Sequence, residues 1–335
     1  MESNLIENLA IIGAGSWGTA LAIVLAPKFR RVGLWARRPE QAKALQTTRE
    51  NAIYLGGFPL PHNVLVTSAL EEAVAGAQVV ILVIPSRFLR AQAAALSGLL
   101  APDTVVLSAT KGIENGTLFR MSQVIADAVQ QPVRLAVLSG PTFAREVAAG
   151  EPAAVVLASE DIDVARQLQP SLGGATLRVY ASDDVIGVET GAALKNVIAI
   201  ASGICQGLGL GNNTVAALIT RGLAEITRLA VTLGGRERTL AGLAGLGDLV
   251  LTTTGELSRN RAVGIRLGRG ESLEAILAST RMIAEGVSTC KAAYDLAQKL
   301  GAEAPIISEM YRILYEGKRP RLALQHLMDR PLTRE

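Results

Sequence analysis

A chain of 335 residues that is 49% hydrophobic and 19% charged is long enough for about two domains and too apolar to be disordered. Its 33 basic and 30 acidic residues leave a net charge of +3, which is too balanced to imply a nucleic-acid partner. Two cysteines without close spacing and two histidines argue against a disulfide framework, a metal centre and a Ser-His-Asp triad, and they fit a reducing compartment.

The opening MESNLIENLA lacks the basic-then-apolar pattern of a secretory signal, and no uninterrupted apolar run reaches the ~18 residues of a membrane span. A cytoplasmic protein with no membrane span is therefore expected. From residue 8 onward, short β-branched apolar runs alternate with helical stretches. Residues 8–12, 32–36, 64–67, 78–84, 104–108, 134–138, 153–158 and 176–180 are predicted strands; 16–26, 39–49, 87–99, 117–129 and 142–149 are predicted helices. Several strands are apolar on both faces, as parallel strands covered by helices must be. The alternation predicts an α/β fold with a Rossmann-like doubly wound sheet. Beyond residue 183 the strand signals stop. The pattern becomes helical over 184–208, 213–233, 258–268, 272–278, 286–300 and 306–316. The expected division is a dinucleotide-binding domain at 1–183 and an all-helical substrate and catalytic domain at 184–335.

The stretch IIGAGSWGTALA places Gly13, Gly15 and Gly18 between the first strand and the first helix. Alone, G-x-G-x-x-G is a weak signal; in this position it is a dinucleotide fingerprint. Gly13 allows the tight turn, Gly15 lets a pyrophosphate approach, and Gly18 permits close packing of helix on strand. The helix starting near Ser16 offers free N–H groups to phosphate. After the second strand the sequence reads LWARRPEQ, with Ala36 where an NAD site usually carries an acid. Arg37 and Arg38 suit an adenosine 2′-phosphate. NADP is the expected cofactor, and Glu40 nearby leaves use of NAD open.

With histidine scarce, lysine is the candidate proton donor for a redox reaction at a carbonyl. Lys111 follows the fifth predicted strand, at the end of the sheet where ligands bind. Lys195 interrupts an apolar helix between Leu194 and Val197, and a buried lysine needs a partner or a function. Asp248, in the Gly-rich apolar stretch LAGLGDLVLT read as a loop, needs a partner too; a Lys195–Asp248 contact would satisfy both. Ser258 can cap a helix, and with Arg259 and Asn260 it makes either a phosphate receptor or an ordinary N-cap on a basic helix. In LSGPTFAREV, Gly140 and Pro141 form a turn before Thr142, which fits a ligand loop or a simple connector.

Seven blocks in register, GAGSWGTALA, ATKGIE, LSGPTFAREV, GAALKNVIAIASGI, GLAGLGDLVLT, LSRNRAVGIRLGRG and IAEGVSTCKAAYDLA, cover nearly the whole chain between residues 10 and 297. In these the chain resembles the bacterial-type NAD(P)-dependent glycerol-3-phosphate dehydrogenases. The resemblance implies a soluble enzyme that reduces dihydroxyacetone phosphate to sn-glycerol 3-phosphate for glycerophospholipid synthesis. It implies that Ser16 and Trp17 contact the cofactor, that Arg37 and Arg38 hold its 2′-phosphate, and that Lys111 lies between cofactor and substrate. Gly140 and Thr142 would touch substrate and Ala144 the cofactor. Lys195 would be the proton donor and acceptor, with Asp248 beside it. Ser258, Arg259 and Asn260 would bind the substrate phosphate, Arg259 would also reach the cofactor, and Ile283 and Glu285 would close over it. Thr142 stands for a more usual Ser and Ile283 for a more usual Val; both changes are mild. A homodimer is expected, with a small phosphorylated substrate as the only other partner and no metal. Two rivals remain: a related two-domain dehydrogenase of hydroxy acids, against which the SRNR block argues, and an NADP-binding sensor, which has no need of Lys195 and Asp248 in apolar surroundings.

Overall fold

The computed structural model describes residues 6–279 and 284–331. The chain forms two compact units. One is built on the chain up to Lys111 and on Met121–Val185, the other on Gly112–Arg120 and the chain from Ile186 on. The passage of Gly112–Arg120 into the helical unit has no signal in the sequence.

The first unit holds ten strands: β1 Asn8–Ile12, β2 Arg31–Trp35, β3 Glu50–Asn51, β4 Gly56–Pro59, β5 Val64–Thr67, β6 Val79–Leu82, β7 Val105–Ser108, β8 Arg134–Ser139, β9 Ala153–Ala158 and β10 Leu177–Ser182. Eight of them form one sheet in the order β10-β9-β8-β7-β6-β1-β2-β5, and β3 and β4 pair in a small ribbon. β1 lies between β2 and β6, with Ile12 in register with both Trp35 and Leu82. Leu9, Ala10, Ile11 and Ile12 are fully buried, as the two-faced apolar pattern requires. The sheet is not wholly parallel, because β9 runs antiparallel to β8. The only helix linking them, Ala144–Ala148, has five residues and spans about 7 Å, against about 20 Å for a six-residue strand. It cannot carry the chain back to the starting end of the sheet, so β9 returns beside β8.

The second unit carries helices Val185–Gly207, Asn212–Thr232, Glu237–Leu240, Asp248–Thr254, Arg259–Gly268, Leu273–Ala278, Glu285–Leu300, Pro305–Tyr315 and Pro320–Met328. Three of them, Glu237–Leu240, Asp248–Thr254 and Pro320–Met328, are absent from the sequence reading. The Val185–Gly207 helix has the length and apolarity of a membrane span, yet 94% of its apolar window is buried inside the protein. It is apolar all round because it is the core of this unit. It meets the Arg259–Gly268 helix with backbone against backbone. A Cβ on Gly264 would stand 2.0 Å from the Ile200 carbonyl oxygen, and one on Gly203 2.1 Å from that of Arg261. Gly207 and Gly268 repeat the contact one turn on. Elsewhere, buried Glu225 accepts the amide hydrogens of Ile306 (2.7 Å) and Ile307 (3.1 Å) at the start of the Pro305–Tyr315 helix.

Candidate active site

In the sheet unit the three glycines answer to three different constraints. Gly13 has φ +124°, and a Cβ there would lie 2.3 Å from the Val83 carbonyl oxygen. A Cβ on Gly18 would collide with the Gly13 carbonyl oxygen at 1.9 Å. Gly15 has no protein atom near its missing Cβ, so protein packing does not demand glycine there and the backbone lies open to approach. The loop is held from behind. Gln41 Nε2 (2.8 Å) and Asn51 Nδ2 (3.1 Å) donate to the Ala14 carbonyl, and Ser16 Oγ donates to the Tyr54 carbonyl at 2.7 Å. The Ser16–Leu25 helix has no side-chain cap, which leaves its first N–H groups to an anion. Trp17 packs on the sheet core.

Arg37 and Arg38 follow β2 and are exposed. Arg38 donates to the Tyr54 hydroxyl at 3.1 Å, while the Arg37 guanidinium lies over the Phe88 ring, 5.2 Å from its centroid. Lys111, Gly140 and Thr142 converge. Lys111 Nζ and Thr142 Oγ1 both donate to the Gly140 carbonyl at 3.3 Å. A Cβ on Gly140 would stand 2.8 Å from the Ala154 carbonyl oxygen, so the turn admits only glycine. Ala144 opens the short helix that follows.

In the helical unit, Lys195 and Asp248 form a buried ion pair, exposed by 7% and 1% at their side chains. Lys195 Nζ also donates to Thr252 Oγ1 at 2.7 Å, and that hydroxyl donates to the Asp248 carbonyl at 2.6 Å. Removing two charges from water is costly unless each meets a partner, and here both do. Asp248 is not in a loop, as the sequence suggests. A single π-helical turn, Leu243–Gly247, leads into the Asp248–Thr254 helix. The glycines that imitate a loop are there for contact: a Cβ on Gly245 would be 2.1 Å from the Leu240 carbonyl oxygen.

Ser258 is the N-cap of the Arg259–Gly268 helix and accepts the Arg261 amide hydrogen at 3.3 Å. Asn260 Nδ2 donates to Asn196 Oδ1 at 2.9 Å, and Asn260 Oδ1 accepts from the Gly286 amide at 3.0 Å. The side chain next to Lys195 in sequence thus anchors this helix start. Arg259 keeps an exposed side chain, yet loss of hydration lowers its guanidinium below the ordinary value, and the nearby charge of Glu285 works the other way. Glu285 opens the Glu285–Leu300 helix. Ile283 lies outside the described residues.

Thr252, Asn196 and Tyr54 are not among the site residues predicted from sequence. Thr252 stands four residues after Asp248, one helical turn away on the same face, but that spacing carries meaning only once 248–254 is known to be helical. Asn196 and Tyr54 carry no local signal, since their partners are remote in sequence.

A buried ammonium held by a carboxylate can stabilise a forming oxyanion and exchange a proton with it. A guanidinium, a hydroxyl and an amide at a helix start can hold a phosphate. Together with a glycine loop at a Rossmann-like strand end, these define the class: a dinucleotide-dependent dehydrogenase with a separate helical unit. Residues 8–165 match the family described as NAD-dependent glycerol-3-phosphate dehydrogenase N-terminus, and residues 184–325 match the corresponding C-terminus family. A relative from Syntrophotalea carbinolica, named glycerol-3-phosphate dehydrogenase (NAD(P)+), is 52% identical over 98% of this chain and 99% of its own. The solved glycerol-3-phosphate dehydrogenase of Coxiella burnetii superposes with a TM-score of 0.93 at 40% identity, covering 97% of this chain and 100% of that one. That of Saccharomyces cerevisiae gives 0.82 at 26% identity, covering 96% and 99%. The chain belongs to the NAD-dependent glycerol-3-phosphate dehydrogenase family.

Proposed function

We propose that this protein reduces dihydroxyacetone phosphate to sn-glycerol 3-phosphate, reversibly, with NADP(H) and with NAD(H) as a second cofactor, and so supplies glycerophospholipid synthesis. The observation that carries the reading is the buried Lys195–Asp248 pair with Thr252 against the same ammonium. The bound cofactor supplies the hydride. Lys195 stabilises the oxygen at C2 and gives it a proton in the forward direction; in reverse it removes that proton. Asp248 and Thr252 hold the ammonium in place. Ser258, Arg259 and Asn260 hold the phosphate, which fixes how far the carbonyl stands from Lys195. Lys111, Gly140 and Thr142 add contacts to substrate. Gly13, Gly15, Ser16, Trp17, Gly18, Arg37, Arg38, Ala144 and Glu285 serve the cofactor, and Ile283 joins them by resemblance. The sheet unit is the dinucleotide-binding domain and the helical unit the substrate domain. We further propose a cytoplasmic homodimer.

The test is NADPH oxidation with dihydroxyacetone phosphate, unphosphorylated dihydroxyacetone and a panel of hydroxy and keto acids. The expected result is turnover with the phosphorylated ketone that exceeds turnover with the free ketone by orders of magnitude in kcat/KM. Preference for a keto acid would select the hydroxy-acid rival, and cofactor binding without turnover would select the sensor.

A further inference from the structure

We infer that Arg87 reads the adenosine 2′-phosphate of NADP together with Arg37, an assignment that rests on the cofactor reading above. β2 and β6 flank β1, so the turns after them open on either side of the Gly13–Gly18 loop. The turn after β2 carries Arg37, and the turn after β6 carries Arg87 and Phe88 on the short helical turn Ser86–Phe88. Both guanidiniums lie over the one Phe88 ring, Arg37 at 5.2 Å and Arg87 at 4.7 Å from its centroid. Both side chains are exposed, and neither has a carboxylate partner among the described residues.

A ring face attracts each cation, but two unneutralised guanidiniums on one ring repel each other. An anion held between them turns that repulsion into attraction at both, and a phosphate suits the planar fork of arginine. Arg38 is placed differently. It donates to the Tyr54 hydroxyl at 3.1 Å and stands immediately before the Pro39–Thr48 helix. The pair that shares a ring is therefore Arg37 with Arg87, from two different strand ends, and not the adjacent Arg37 and Arg38. NADH, which lacks the 2′-phosphate, leaves the two charges opposed, so the same pair favours NADPH over NADH.

The test is calorimetric binding of 2′,5′-ADP and 5′-AMP to the parent protein, R87A, R37A and R38A, with KM for NADPH and NADH alongside. R87A should weaken 2′,5′-ADP by about tenfold or more, the scale of one charge-assisted contact, and 5′-AMP by less than about threefold. R37A should do the same, and R38A should change the ratio less than either. Equal weakening of both nucleotides in R87A, or a larger ratio change in R38A, overturns the assignment of Arg87. A parent protein that binds the two nucleotides equally overturns the 2′-phosphate reading itself and this inference with it.

Discussion

The two units place charge in opposite ways. In the sheet unit the helix start after the glycine loop is uncapped, and the nearby arginines are left in solvent. In the helical unit, although Arg259 is exposed, charged groups are also taken inside: Lys195 on Asp248, partly buried Arg120 on Glu189, and Glu225 on two amides. The first arrangement depends on positions where a side chain cannot stand. The second depends on side chains that cannot be left without a partner. A dinucleotide needs close approach of its backbone-like diphosphate, whereas proton transfer to a carbonyl needs a charge shielded from water.

Four measurements test this contrast. The largest effect belongs to the buried ammonium: Lys195→Ala should lower kcat by at least about 10²-fold while cofactor binding persists. Near-normal turnover would remove Lys195 from the mechanism. Next comes the glycine crossing that holds the helical unit together. Gly264→Ala puts a methyl against the Ile200 carbonyl and should cost on the order of 2–3 kcal/mol in chemical denaturation, with a lowered Tm. An unchanged Tm would show that the two backbones can part without cost.

The third effect is a pH dependence. Burial pushes the Glu225 carboxyl up to about 7, with its two amide donors opposing the rise. The folded chain therefore holds this proton more tightly than the unfolded chain does. Stability is greatest below the unfolded value near 4.5 and falls as pH rises toward 7. Glu225→Gln should flatten the Tm profile across that window. A profile identical to the parent's would assign the dependence to other groups. The smallest effect lies in the exposed charges of the sheet unit: Arg37→Ala should raise KM for NADPH by about tenfold and KM for NADH far less. Equal changes would mean that another residue reads the 2′-phosphate.

The same contrast explains what the sequence discloses. Gly13, Gly15 and Gly18 are legible because they fall in one short motif between a strand and a helix, although Gly13 is also pressed by Val83, far along the chain. The eight main strands are legible because they are short β-branched apolar runs, several of them apolar on both faces, whereas β10 alternates buried and exposed residues. Lys195 and Asp248 are visible only as residues in need of partners, and their pairing emerges once helices far apart in sequence are packed. Thr252 and Asn196 are invisible, since a threonine or asparagine inside a helix is ordinary until its neighbour is known. The Asp248 stretch misleads because glycines needed for close contact look the same as glycines needed for a loop. The antiparallel β9 is missed because strand direction is set by the reach of the preceding connection and not by the strand's own residues.

The passage of Gly112–Arg120 into the helical unit has a practical consequence for dissecting the molecule. Ile113 is buried in the helical core and Arg120 supplies a guanidinium to Glu189, so a fragment that starts at Ile186 lacks a piece of its own interior. A fragment that ends at Val185 carries that same apolar piece with nowhere to bury it. Neither half can be produced intact by a single cut of the gene, and a segment of nine residues makes two architectures inseparable as expressed proteins.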